Sequence, residues 1–323
     1  MRPITRRRLL QAATVALPLA ARAQIAGGKP VTLVVSYPAG GGADLMARLV
    51  AQPMSRALGQ PVVVDNKPGG SGQIAASAVA RATPDGSTLL VDASSFAVNP
   101  ALFPRLPYDN DRDFVPLGVI ALFPNVLVCT PSFEARSVQD VLRLARANPG
   151  QVSYASSGNG SAQHLAGALF EDRTGAKLLH VPYRGGGPAM NDVMAGQVPL
   201  FFANVASSLG HIQGGKLRPL AATSRRRARA LPDIPTMEEA GVPGYEVLEW
   251  NPVLSPAGMP APVAQKLRAA LQAALADPEV LGRIRALSGE MLADNSPAGV
   301  SGFLRQQQAL WARVVKERKI TAG

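Results

Sequence analysis

The chain is poor in the residues that most chemistry needs: one Cys, three His, two Trp and five Tyr in 323 residues. A single Cys129 excludes an intramolecular disulfide, and its apolar surroundings, NVLVCT, point to a buried structural thiol. His164, His180 and His211 do not stand at metal-ligand spacing with the cysteine or with one another, so no metal centre is expected. There is no G-x-x-x-x-G-K-[ST] loop, and no G-x-G-x-x-G with an acidic residue about 20 positions on, so the nucleotide fingerprints are missing. A G-x-S-x-G nucleophile elbow is also absent. No catalytic residue and no cofactor are therefore expected. Aromatic residues are too few, and too little interleaved with basic ones, to suggest nucleic-acid binding. The run Arg225, Arg226, Arg227 and Arg229 reads as a solvated surface loop. After the first residues no apolar stretch approaches the roughly 20 needed to span a bilayer.

What is present begins with an export signal. Arg2, Arg6, Arg7 and Arg8 precede a short apolar run, Leu9 to Ala21, and Ala21-Arg22-Ala23 offers an A-x-A cleavage site. Thr5 to Leu10 also fits a twin-arginine signal, the route of proteins exported already folded. No cysteine follows the cleavage site, so the mature chain is expected free in the periplasm. Losing residues 1–23 removes five arginines and no acids, which lowers the net charge from +11 to +6. Mild positive charge of that kind suits a small anionic ligand.

The remaining chain, 47% hydrophobic overall, is long enough for two ordinary domains. Short apolar strands alternate with amphipathic helices, which is the pattern of α/β architecture. Strands are predicted at Val31 to Tyr37, Val62 to Asp65, Thr88 to Ala93, Asn125 to Thr130, Val152 to Ser156, Leu178 to Val181, Val198 to Ala203 and Leu217 to Thr223. Helices are predicted at Ala43 to Leu58, Ser137 to Ala147, Ala162 to Thr174, Pro262 to Leu275 and Pro297 to Arg318. Pro53 removes a backbone donor inside the first of these, so a kink or a new helical start is expected there.

Three glycine-rich loops lead into helices. Pro38-Ala39-Gly40-Gly41-Gly42-Ala43-Asp44 permits close backbone approach and positive φ, and the helix that follows exposes N–H groups and a positive dipole end. Asp44 serves the first helical turn, or else holds a water or a ligand donor. The second loop, Ser156 to Ser161, sets Ser157 and Asn159 beside another helix start, with Ser161 in an N-cap position. The third, Tyr183 to Pro188, sets the amphipathic Tyr183 ring beside an arginine, Arg184. Loops offering mostly uncharged donors suit a carboxylate held by amides and water.

The chain resembles the substrate-binding proteins of tripartite tricarboxylate transporters, the Bug family. The resemblance spans nearly all the mature chain and rests on nine ordered segments. Among them are PAGGGAD from Pro38, GQPVVVDNKPGGSG from Gly59, YASSGNGSAQHLAG from Tyr154, HVPYRGGGPA from His180 and LPDIPTMEEAGVPGYE from Leu231. It implies the type II periplasmic-binding-protein fold: two α/β domains with a hinge and a ligand cleft between them. Residues 24–124 and 224–323 are expected to form the first domain and residues 125–223 the inserted second, with crossings near Pro124-Asn125 and within Thr223 to Ser255. The family's carboxylate site carries over to Ala39, Gly40, Gly41, Gly42, Ala43 and Asp44, and to Ser157, Asn159, Gly160 and Ser161. Ser94, Tyr183, Asn204 and Trp250 are expected nearby.

The implied function is capture of a small organic carboxylate by a monomeric receptor and delivery to the membrane subunits of a transporter. A periplasmic sensor working with a two-component kinase is the alternative, and some transferases share the two-domain fold. The family's usual aspartate is Ala203 here, and Glu249, Asn251 and Pro252 flank Trp250 atypically. With Val205 and Trp250 apolar, a partly hydrophobic far end of the ligand is expected. Whether Glu249 faces the cleft is open at this level.

Overall fold

The computed structural model describes residues 28–318 together with Ile320 and Thr321. The export signal expected over residues 1–23 lies outside the described residues. Among the described residues no helix is long and apolar enough to cross a membrane.

The elements run β1 (Val31–Val35), α1 (Gly42–Leu58), β2 (Val62–Asn66), α2 (Gln73–Ala80), β3 (Thr88–Val91), α3 (Ser95–Leu102), β4 (Phe114–Cys129) and α4 (Val138–Ala147). Then follow β5 (Ser153–Ser156), α5 (Ala162–Thr174), β6 (Leu179–Pro182), α6 (Gly186–Met194), β7 (Leu200–Asn204), α7 (Val205–Gln213) and β8 (Arg218–Ala222). The chain ends with β9 (Leu248–Pro256), α8 (Ala261–Ala276), α9 (Pro278–Ala286) and α10 (Pro297–Arg318).

The strand order is β2-β1-β3-β9-β4-β7-β5-β6, with β8 also paired to β4. β1 is parallel to β2 and β3, and β5 is parallel to β6 and β7. The long strand β4 joins the two halves. Up to Pro124 it pairs antiparallel with β9, and from Asn125 onward it pairs with β7 and β8. Thr223 ties this change of partner together. Its N–H donates to the Asn125 carbonyl, its hydroxyl reaches the Val247 carbonyl at 2.6 Å, and it accepts from the Asn125 N–H.

Helix α1 forms because Met46, Ala47, Val50, Ala51 and Met54 recur at helical spacing, and all are buried. Each large apolar side chain so buried contributes about 1.5–3 kcal/mol. The helix runs through Pro53 to a left-handed Gly59, whose N–H donates to the Ser55 carbonyl. The new start expected at Pro53 does not occur.

Sequence periodicity misses β9 and the first half of β4. In β4, Pro116, Gly118 and Pro124 break an otherwise apolar run, and the pairing with β9 shifts register between Pro116 and Gly118. In β9, Glu249, Asn251 and Pro252 interrupt the apolar pattern, although every residue from Glu249 to Pro256 is buried. A strand covered on both faces need not alternate.

The second half contains a tight helix-on-sheet contact. Gly167 of α5 lies against the ring of Tyr154 on β5, so close that a Cβ would run into the ring. Tyr154 is itself buried and meets Phe202 edge-on at 5.8 Å. Gly167→Ala is expected to destabilise the protein by about 1–3 kcal/mol through overpacking, less the fraction of a kcal/mol that alanine gains in a helix. A lower urea midpoint with an unchanged slope checks it.

Candidate ligand-binding site

The parallel strands end on one side, where their following helices begin. β1, β3, β5, β6 and β7 lead into α1, α3, α5, α6 and α7, and the N-terminal ends of all five helices line one cavity. From the first half come Tyr37, Gly41, Gly42, Ala43, Ala93, Ser94 and Glu249. From the second come Ser157, Ser161, Ala162, Gln163, Gly186, Phe201, Asn204 and Ser207. The cavity's volume is about 20 Å³, room for little more than one ordered water.

The donors at these helix ends are backbone groups. In α1 the first intrahelical bond runs from the Leu45 N–H to the Gly41 carbonyl, and Gly41 supplies no side-chain cap. The N–H groups of the first turn are therefore left for a ligand or water. Each such end carries roughly half a positive charge, and five of them face this cavity without any lysine, arginine or histidine in its lining.

Two side chains point the same way. Ser94 Oγ and Asn204 Nδ2 are buried in the cavity wall, and neither has a hydrogen-bond partner of good geometry. Asn204 is otherwise held, since its Oδ1 accepts from the Ala206 N–H at 2.8 Å and caps α7. Buried polar groups of this kind are costly unless something occupies the site.

Opposite them stands Glu249, which lines the cavity and is 6% exposed. Its Oε2 accepts from Gln163 Nε2 at 2.6 Å, and Gln163 also reaches Asn125 Oδ1 at 3.2 Å. Burial raises the Glu249 pKa, against the opposing amides of Gln163 and Asn204.

Of the residues expected from sequence, the fold brings Gly41, Gly42, Ala43, Ser94, Ser157, Ser161 and Asn204 together at this cavity. Ala39 and Gly40 are exposed on the loop outside it. Positive φ, expected of the three glycines, is taken up by Gly40 alone at 82°, whereas Gly41 is extended at −79°. Gly42 is needed for space instead: a Cβ there would sit 2.9 Å from Glu249 Oε1 and 3.0 Å from Asn204 Nδ2.

Asp44 is turned away from the cavity and braces the loop. Its carboxylate accepts from the Gly40 N–H at 2.9 Å, from Arg48 Nε at 3.0 Å and from Asn66 Nδ2 at 3.0 Å. Burial pushes its pKa up, but the bonds from Arg48, Gly40 and Asn66 hold it below the ordinary carboxylate value. Its stabilising contribution is thus present above the unfolded pKa and is lost as pH falls through the lower folded one. Asp44→Ala is expected to cost about 1.5–3 kcal/mol, with a smaller penalty in acid than at neutral pH. Thermal melts of both proteins at the two pH values check it.

Asn159 and Tyr183 line a neighbouring opening with Gly158 and Arg184, not this cavity. The Tyr183 hydroxyl donates to Asp192 at 2.8 Å. Gly160 packs against Leu102 and Asn99, and its N–H donates to His164 Nδ1 at 3.1 Å. Ser161 caps α5 by accepting from the His164 N–H. Trp250 belongs to the core, where it meets Phe303 edge-on at 5.0 Å, and it does not line this cavity. Sequence reasoning missed Tyr37, Ala93, Ala162, Gln163, Gly186, Phe201 and Ser207. Of these only Gly186, in its triple-glycine run, carried a signal.

The remaining chemistry-bearing residues have structural explanations. Cys129 is buried. His164 and His180 stack with ring centroids 4.0 Å apart, and burial lowers their pKa values to about 4 and about 3. Arg225, Arg226 and Arg227 pair with Glu246, Glu290 and Glu239 at the surface. Among the described residues no group of three or more metal-ligating side chains is assembled.

Comparison with known proteins identifies the family and the fold. Residues 46–320 match the family described as the tripartite tricarboxylate transporter family receptor. A UPF0065 protein of Pseudomonas sp. strain P51, from the tcbD-tcbE intergenic region, is 38% identical over 325 residues, covering 99% of this chain and 96% of that one. The solved structure of periplasmic binding protein BugD is 36% identical with a TM-score of 0.87, over 91% of this chain and 98% of its own. R. palustris Rpa4515, solved with adipate, is also 36% identical with a TM-score of 0.87, over 91% of this chain and 99% of its own. A mixed α/β fold of the periplasmic-binding-protein kind, with a cavity built from helix N-termini, goes with a family match over most of the sequence: the chain belongs to the tripartite tricarboxylate transporter receptor family.

Proposed function

We propose that this protein is a periplasmic solute receptor that closes around a small organic carboxylate and passes it to the membrane subunits of a tripartite transporter. The observation that carries the reading is the convergence of five helix N-termini on one cavity whose lining holds no basic side chain. Such a site neutralises a carboxylate with N–H groups and dipoles, and it needs no cation. The adipate held by a relative of 36% identity supports the ligand class.

The two lobes of the receptor are residues 24–124 with 224–323, and residues 125–223, hinged where β4 changes partners and at the Thr223 crossing. Residues 1–23 direct export and are removed, and the mature receptor works as a monomer. The ligand's proximal carboxylate meets the starts of α1 and α5. Its apolar middle lies against Ala43, Ala93 and Phe201, all of which line the cavity. Phe201 takes the role that the sequence had suggested for Trp250.

A thermal-shift panel tests the reading: adipate, succinate, benzoate and citrate, with the amides of the first three as controls. At 100 times Kd the bound acid is expected to add about 2.7 kcal/mol of stability. Stabilisation by an amide equal to that of its acid would overturn the carboxylate anchor.

A further inference from the structure

We propose that Glu249 couples carboxylate binding to the uptake of one proton, so that this receptor takes its ligand together with a hydrogen ion. The inference rests on the carboxylate reading above and adds a proton to it. Glu249 lines the same cavity that would receive the ligand's carboxylate, and its carboxyl group is buried there. Both of its oxygens face amide side chains: Gln163 donates to Oε2, and the Asn204 amide lies beside Oε1. Neither amide can neutralise it.

Among the described residues no basic group offsets Glu249 from the elements packed around it. On its own strand it is the sole charged residue, and its partner across the ladder is the apolar Phe123 on β4, a strand without charged residues. On α1, Asp44 is turned away and paired with Arg48, and Arg56 pairs with Asp277. On α5, His164 is stacked on His180, while Glu171, Asp172 and Arg173 lie two turns or more beyond Gln163. On α7, His211 stands in the last turn. The remaining titratable neighbours are the Tyr37 hydroxyl, which donates to Ser95 Oγ at 3.0 Å, and behind it Asp92, which does not line the cavity.

The helix ends can neutralise the ligand's carboxylate, but a second carboxylate in the same closed cavity repels it, and that repulsion favours the protonated form of Glu249. With the cleft parted, water solvates Glu249 and it carries its charge. On closure over a ligand carboxylate a proton from solvent adds to Glu249. With the proton on Oε1 the new O–H donates to a ligand oxygen, while Gln163 continues to donate to Oε2, now the carbonyl oxygen. One proton is taken up per ligand bound, and no other bond changes. Burial favours the same protonated form, since desolvation is the leading cause of the raised Glu249 pKa.

Isothermal titration with adipate between about pH 6.5 and 8.5, where both ligand carboxylates stay ionised, is the test. Affinity is expected to fall by up to about tenfold per pH unit in the wild type, the limit for one linked proton. Heats measured in buffers of different ionisation enthalpy should report uptake approaching one proton. Glu249→Gln keeps the shape, loses the charge and should bind with a flat pH profile, more tightly than the wild type at the alkaline end. Asp92, whose pKa burial raises to about 7, titrates in the same range, so the Gln variant separates the two groups. Should that variant fail to fold, carboxyl-13C-glutamate labelling of the wild type follows Glu249 directly, and one glutamate resonance must stay protonated at pH 7.5 only with adipate bound. Binding of adipate without pH dependence, or an unchanged slope in Glu249→Gln, overturns the proposal while leaving the carboxylate reading intact. Absence of binding by every acid of the panel, to either protein, overturns both.

Discussion

Gly42→Val is expected to abolish carboxylate binding, by about 100-fold or more in Kd, with the fold retained. The position opens α1 and stands between the two residues that close the cavity from the other side. A Cβ there would lie 2.9 Å from Glu249 Oε1, 3.0 Å from Asn204 Nδ2 and 3.2 Å from Asn204 Cγ. Neither neighbour can withdraw cheaply, because Glu249 is held by Gln163 and Asn204 caps α7. A loss of 100-fold corresponds to about 2.7 kcal/mol. The fold survives because Gly42 is a helical residue in the first turn, where valine costs only a fraction of a kcal/mol relative to other residues. Calorimetry with adipate beside a urea melt separates the two effects. Gly42→Ala should fall between wild type and Val, and normal adipate binding by the Val variant would show that the ligand does not approach this helix end.

Gly185→Ala is expected to hold the cleft open. Gly185 precedes α6 in the second half, yet a Cβ there would lie 2.5 Å from Cδ and 2.6 Å from Cγ of Pro38, on the glycine loop of the first half. The proline ring is rigid and its loop is pinned by the Asp44 bonds, so the contact is relieved most cheaply by parting the two halves. Gly185 also has φ at 127°, a conformation that costs a side chain about 1–3 kcal/mol in either state. Only the collision depends on closure. Small-angle scattering should therefore show the wild type becoming more compact with saturating adipate and the variant failing to do so, with affinity at least about tenfold weaker. Equal compaction of both proteins would place the closing contact elsewhere.

How much of this was legible beforehand depended on where the information is written. Helices α1, α5 and α10 are readable within a residue or so at their ends, α1 and α10 from apolar residues at helical spacing and α5 from its capping Ser161 and Gly175. β2 and β5 are readable as closely, and β1 starts where expected but ends two residues before Tyr37. The starts of α1 and α5 carry local marks, glycines and an N-cap serine, so Gly41, Gly42, Ser157 and Ser161 are found from sequence and do line the cavity. Trp250 misleads for the opposite reason. An aromatic residue among atypical neighbours looks like a ligand wall, but strand alternation turns it into the core and turns its neighbour Glu249 toward the cavity.

The sequence by itself determined the α/β class, the family, the glycine-rich helix starts and the lack of a nucleotide or metal motif. Each depends on residue type and spacing along a short stretch. Only the tertiary structure decided that five helix ends share one cavity, that Asp44 braces a loop and that Glu249 is buried opposite unpartnered donors. Those facts depend on which face of a strand a residue occupies and on what lies across from it. Gln163 and Glu249 are 86 positions apart in the chain and 2.6 Å apart in space, joined because β9 enters the sheet between β3 and β4. No local pattern records such a meeting, because the pairing of distant strands sets it.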